Sequence, residues 1–196
     1  IDALQYVIDQ IHPQKVVTFP QEVHIEGGDV MPYGNYIFVG TYYGDDYSSY
    51  ITARTNMAAV TALQKLFPKK IVKPFNLKKS NTVAQDNALH LDCCFQPLGH
   101  GRCIIHKEGF LIEQEYQWLV DFFGPENCFH IDKQEMYHMN SNIFSISEDV
   151  IISEKNFTRL NSWLVDKGYT VEEVCYGEIA KQEGLLRCST MPLIRD

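Results

Sequence analysis

Val23-His24-Ile25-Glu26-Gly27-Gly28-Asp29-Val30-Met31, with Tyr36-Ile37-Phe38-Val39 close behind, wraps two acidic residues around a diglycine between short apolar runs. Glycine takes positive φ without a Cβ clash, so the stretch predicts a hairpin turning at Glu26-Gly27-Gly28-Asp29, its sheet continued by residues 36–39. Residues 42–50, rich in Gly, Asp, Ser and Tyr, read as a loop. Beyond them Met57, Val60, Leu63, Leu66 and Phe67 recur at helical spacing and predict a helix over 52–67 that Pro68 ends; 71–75 then reads as a strand. The unit so defined is strand, strand, helix, strand.

The same order returns downstream. Strands are predicted at 89–95 and 102–106, a helix over 113–123 and a strand around 128–131. A further set follows, with strands at 143–146 and 150–153, a helix over 156–166 and a strand over 169–175. Upstream, Ala3, Leu4, Val7, Ile8 and Ile11 predict a short amphipathic helix stopped at His12-Pro13, and 15–19 reads as a strand. A spacing of roughly 40 to 60 residues points to internal structural repeats, about four units with some incomplete, although no self-similarity of sequence accompanies them.

At 196 residues and 45% hydrophobic content the chain reads as one domain, 1–196, with a core of useful size. A net charge of −8 and the lack of a dense Lys/Arg stripe exclude a phosphate-tracking surface, so no nucleic-acid partner is expected. Lys69-Lys70 and Lys78-Lys79 read as solvated loop pairs. Among the six cysteines, adjacent Cys93 and Cys94 would face opposite sides of any strand, which argues for reduced thiols rather than a disulfide framework. There is no basic-then-apolar leader and no apolar run near the ~20 residues of a membrane helix, so the expectation is a soluble cytoplasmic protein with no membrane partner; a homo-oligomer stays open. The chain opens on Ile1 rather than Met, directly on a helical pattern, as if cut from something longer.

Two further motifs carry chemistry. Arg187-Cys188-Ser189-Thr190-Met191-Pro192 puts a lone cysteine in a strand-like exit from a Gly184 turn, and His90-Leu91-Asp92 lies in the apolar run 88–98. On a strand, His90 and Asp92 share a face while Leu91 and Cys93 take the other. Two polar side chains on one face of so apolar a strand need partners or a cavity, unless the strand is a half-exposed edge. Taken singly, Glu-Gly-Gly-Asp is an ordinary turn and Cys188 a small buried hydrophobe. Together, a thiol, an imidazole and carboxylates are the parts for nucleophilic attack on a cationic carbon. His90, Asp92, Cys93 and Cys94, or His100 and His106, lack the paired spacing of a metal site, and none is expected.

In order along the chain, Glu26-Gly27-Gly28-Asp29, Ala53-Arg54-Thr55-Asn56, His90-Leu91-Asp92 and Arg187-Cys188-Ser189-Thr190-Met191-Pro192 resemble the guanidine-modifying superfamily of arginine deiminases, dimethylarginine hydrolases and amidinotransferases. The ending and the His-Leu-Asp form are most similar to arginine deiminases. The resemblance implies an α/β fold, the pentein propeller of ββαβ units around a central site, here as an incomplete ring. The family also supplies a guanidinium-binding aspartate from a Phe-x-Arg-Asp-like segment; none precedes Glu26, so an N-terminal portion is expected to be missing.

What the resemblance implies for chemistry is hydrolysis of a guanidino C–N bond in arginine or a substituted arginine, with no metal or cofactor. Cys188 would attack the guanidinium carbon, His90 would protonate the leaving nitrogen and then activate water, and Glu26 would hold His90 oriented. Asp92 would bind the guanidinium, Arg54 a substrate carboxylate and Asp29 the α-amino group. The long loop between Glu26 and Arg54 departs from the deiminase pattern and bears on the placement of Arg54. An amidinotransferase passing the amidino group to an amine, or a catalytically silent pentein that binds a ligand, are the alternatives.

Overall fold

A computed structural model describes residues 5–192; Ala3 and Leu4 of the expected first helix lie outside the described residues. The helix α1 spans Gln5–Ile8. Three copies of one unit follow. The first comprises β1 (Val30–Tyr33), β2 (Tyr36–Thr41), α2 (Met57–Leu66) and β3 (Ile71–Asn76). The second comprises β4 (Phe95–Leu98), β5 (Arg102–Ile105), α3 (Glu113–Phe123) and β6 (Cys128–His130). After the short α4 (Lys133–Tyr137), the third comprises β7 (Phe144–Ser145), β8 (Val150–Glu154), α5 (Thr158–Asp166) and β9 (Thr170–Val174).

Each unit has its own three-stranded sheet, with the second strand in the middle, antiparallel to the first and parallel to the third. A parallel return needs a crossover, and the helix of each unit provides it. Pro32, Pro74 and Pro97 sit on the outer strands β1, β3 and β4, where a missing N–H leaves no gap in a central ladder. The helices start and stop by local chemistry. Asn56 caps α2 by accepting from the Ala59 N–H, and Gly124 ends α3 at φ 84°, a conformation that favours glycine.

Alternation along β2 builds two layers. Ile37 and Val39 pack with Val60 and Leu63 of α2 and with Val72, while Phe38 faces the main core. The Phe38 ring lies 5.8 Å from those of Phe75, Phe95 and Phe122 and 6.2 Å from Trp118, so residues of the first and second units share one aromatic cluster. The second and third units meet through Phe129 against Trp163 at 5.1 Å and through the Tyr169 hydroxyl donating to the Gly99 carbonyl at 2.5 Å.

Four expectations need correction. The described residues form three units, not about four, because 15–19 and 23–25 are not strands. The first hairpin turns at Gly34, φ 51°, whereas Gly27–Asp29 form a 3₁₀ turn leading into β1. The expected strand 89–95 is a 3₁₀ turn at Leu91–Cys93 followed by β4. Lys79 is 8% exposed rather than solvated; its ammonium donates to the carbonyls of Ala88 and Leu89 at 2.7 and 2.9 Å, which satisfies a charge that the apolar run 88–98 would otherwise leave stranded.

Phe38 is fully buried at the joint between two units. Phe38→Ala is expected to cost about 3–5 kcal/mol, read as a lower urea midpoint at unchanged m.

Candidate active site

The segments immediately before the first strand of each unit carry the polar groups. Glu26 to Asp29 precede β1, His90 to Asp92 precede β4, and Asn140 to Asn142 precede β7. In the second unit, β4 starts beside the end of β5, since Phe95 pairs with Ile105, and in the third Phe144 pairs with Ile152 in the same antiparallel sense. In the first, Val30 pairs with Val39 in the same sense. The lead-in to each unit therefore lies at the end where its central strand finishes.

Glu26 and His90 meet there, with Glu26 Oε2 2.6 Å from His90 Nε2. Arg54 Nε donates to Glu26 Oε1 at 2.9 Å. Partial burial opposes the charge on Glu26, but hydrogen bonds from Arg54 and His90 outweigh it and hold the carboxyl below its ordinary value. Gly28 lies flat against the imidazole; a Cβ there would stand 2.8 Å from His90 Cγ and Nδ1. His90 Nδ1 has no hydrogen-bond partner among the described residues.

Asp29 organises this cluster from beneath. It is 1% exposed, its Oδ1 accepts from the Leu91 N–H at 2.9 Å, and its Oδ2 accepts from the Thr55 hydroxyl at 2.6 Å. The backbone of Gly40 leaves room for it, since a Cβ there would come within 2.4 Å of Oδ1. Burial pushes the Asp29 carboxyl up to about 6, against the opposing pull of His90, Lys79 and the two hydrogen bonds.

Cys188 sits in a turn, not the expected strand, with the Ser189 N–H bonded to the Leu185 carbonyl at 3.0 Å. The residue is exposed by area, yet its Sγ is turned inward, 3.1 Å from Asn142 Nδ2 and 3.6 Å from Asp92 Oδ2. Desolvation there, then the Asp92 carboxylate, push the thiol up to about 11. Asp92 is fully buried, and Arg187 Nη1 donates to its Oδ2 at 2.6 Å. The same guanidinium donates to the carbonyl of Val30 at 3.0 Å and to that of Gly27 at 3.4 and 3.5 Å.

The structure thus brings Glu26 to His90 and Asp92 to Cys188. It sets the other two residues differently from expectation. Asp29 has both oxygens occupied and lies under the site, so it presents no surface to an α-amino group. Arg54 is engaged with Glu26 and with the Ile51 carbonyl at 3.3 Å. The sequence reading missed Lys79 and Asn142. Asn142 is fully buried, and polar Asn140-Ser141-Asn142 just before a strand was the available signal, the counterpart of His90-Leu91-Asp92 one unit earlier.

Three ββαβ units, each with a polar lead-in at one end, are the pentein fold. No family model matches the sequence. The chain is 29% identical over 189 residues to YkgA, an uncharacterized protein of Bacillus subtilis (strain 168), which covers 95% of this chain and 58% of that protein. It superposes on the N-terminal domain of ArgZ, a cyanobacterial arginine dihydrolase bound to product, with TM-score 0.72 and 21% identity over 88% of this chain and 57% of that one. A mutant DDAH from Pseudomonas aeruginosa complexed with citrulline matches at TM-score 0.70 and 22% identity, covering 94% of this chain and 62% of that one. The chain therefore spans a little under two thirds of the length of each. No helix among the described residues is long and apolar enough to cross a membrane.

Asp29 has a folded value of about 6, above the 3.8 of the free group. Folding takes up a proton between those values, so the associated stability is full below 3.8 and is lost as pH rises through about 6. Asp29→Asn is expected to remove about 2 kcal/mol of the decline in unfolding free energy between pH 4 and pH 7, measured by urea titration at both. Equal declines in the two proteins would mean that folding leaves the Asp29 carboxyl at its free value.

Proposed function

We propose that the protein hydrolyses a guanidino C–N bond of arginine or a substituted arginine through a covalent adduct on Cys188. One observation carries the reading: a buried carboxylate beside the Cys188 sulfur, that of Asp92, already holds a guanidinium, donated by Arg187 at 2.6 Å. The carboxylate and the carbonyls of Gly27 and Val30 offer a cationic, planar group the acceptors it needs. The relatives support the same chemistry, since the solved structures named above include an arginine dihydrolase with its product and a DDAH with citrulline.

Guanidinium carbon is a weak electrophile because its charge is delocalised, so the reaction needs a fixed substrate, a thiolate and an acid for the leaving nitrogen. A substrate guanidinium on Asp92 takes the place of that of Arg187 and offsets the carboxylate's effect on the nearby thiol. Cys188 then releases its proton to solvent and, as the thiolate, attacks the central carbon, forming a C–S bond. His90, oriented by Glu26 through Nε2, uses Nδ1 to protonate the departing ammonia or amine as the C–N bond breaks. His90 next takes a proton from water as the oxygen adds to the carbon, and collapse expels the Cys188 thiolate and frees a ureido product. Arg54 acts on Glu26 in this scheme, keeping it ionised, rather than on the substrate.

Incubation with arginine, methylated arginines, agmatine and citrulline, with and without an acceptor amine, tests the reading. A ureido product and ammonia or alkylamine are expected from at least one compound without acceptor. Cys188→Ser is expected to lower that turnover by at least a thousandfold, about 4 kcal/mol of barrier. Turnover that survives the substitution, or that appears only with the acceptor, overturns it.

A further inference from the structure

Five hydrogen bonds join a single buried residue of the third unit to the turn that carries Cys188. Asn142 Oδ1 accepts from the backbone N–H groups of Leu185 at 3.0 Å and Cys188 at 3.1 Å. Its main-chain carbonyl accepts from Leu186 and Arg187 at 3.1 and 3.2 Å, and its Nδ2 reaches Cys188 Sγ at 3.1 Å. No charged group takes part in these bonds. With Oδ1 committed as acceptor to two N–H groups, the amide cannot flip, so the atom facing the sulfur is a donor.

We infer that Asn142 is a positioning residue for the nucleophile, fixing the turn with its oxygen and stabilising the Cys188 thiolate with its N–H. The sulfur then lies between opposite partners. While protonated, the thiol donates to Asp92 Oδ2 at 3.6 Å and accepts from Asn142; once the proton leaves, the amide remains as the donor to the anion. Among the described residues, the titratable groups facing the sulfur are Asp92 and Cys93 from the turn before β4, and Arg187 from its own turn through Asp92. Asp92 opposes thiolate formation, whereas the Asn142 amide and the backbone N–H of Leu185 favour it. This places control of the nucleophile in the third unit, away from the His90–Glu26 pair of the first and second.

The inference rests on the hydrolase reading for its purpose, but its test needs no substrate, so the two can fail separately. Alkylation by iodoacetamide is followed across pH by mass spectrometry of the Cys188 peptide, with exposed Cys175 as the internal reference. Asn142→Leu removes the donor without adding charge, and Asn142→Asp keeps the oxygen acceptor while replacing the donor by a carboxylate oxygen. Both are expected to raise the Cys188 midpoint by a pH unit or more and slow alkylation at pH 8 about tenfold, with Asp the larger and Cys175 unchanged. An unshifted Cys188 midpoint in Asn142→Leu overturns the inference, and so does a shift shared by Cys175. Should either variant fail to fold, the wild-type side-chain amide signal of Asn142 serves instead: its NMR shift is expected to titrate with the Cys188 midpoint. A pH-independent signal overturns the inference equally.

Discussion

One buried carboxylate holds the site together. Asp29 accepts from the N–H of Leu91 and the hydroxyl of Thr55, so the lead-in to β1 is tied both to the segment that carries His90 and to the one that carries Arg54. A carboxylate deprived of water is stable only where such donors replace it, which makes their positions obligatory rather than incidental. Glu26, three residues earlier, is thereby delivered to His90, and Arg54, next to Thr55, to Glu26. Gly40 enters the same constraint from β2, because any side chain there would displace the carboxylate.

A second buried carboxylate repeats the device across the third lead-in. Asp92 is bound by the Arg187 guanidinium, its carbonyl accepts from the Ser141 hydroxyl at 2.8 Å, and the neighbouring Asn142 anchors the Cys188 turn. The two clusters touch through Leu91, between His90 and Asp92, whose N–H belongs to Asp29 and whose side chain is fully buried in the core. Chemistry and packing are joined at that residue. The aromatic cluster around Phe38 fixes the first unit against the second, and the polar clusters depend on that fixed spacing.

Much of this was legible before the fold was known. The unit order strand, strand, helix, strand followed from a change of apolar period between 2 and 3.6; the helix 113–123 has its expected bounds, while the one expected over 52–67 begins five residues later, at Met57, where Asn56 caps it. The motifs around Glu26, His90 and Cys188 stood out because thiol, imidazole and carboxylate are unusual in apolar settings. The lead-ins were misjudged as strands because an apolar stretch such as 88–95 has the same composition whether it pairs with a neighbour or turns within a core. Lys79 looked solvated for a related reason: a paired lysine on a polar loop gives no local sign that main-chain carbonyls await it.

Arg54 and Asn142 mark the boundary between the two sources of information. Sequence by itself determined the repeating unit, the residue types available to the chemistry and the resemblance they carry, since those depend on local periodicity and composition. Only the tertiary structure decided that Arg54 serves Glu26, that Asp29 lies beneath the site, and that Asn142 holds the sulfur, because each contact joins residues 25 or more positions apart. Burial gives the Asp29–Leu91 contact its strength, because no water competes for the carboxylate there, whereas the Arg54–Glu26 pair stays open to solvent.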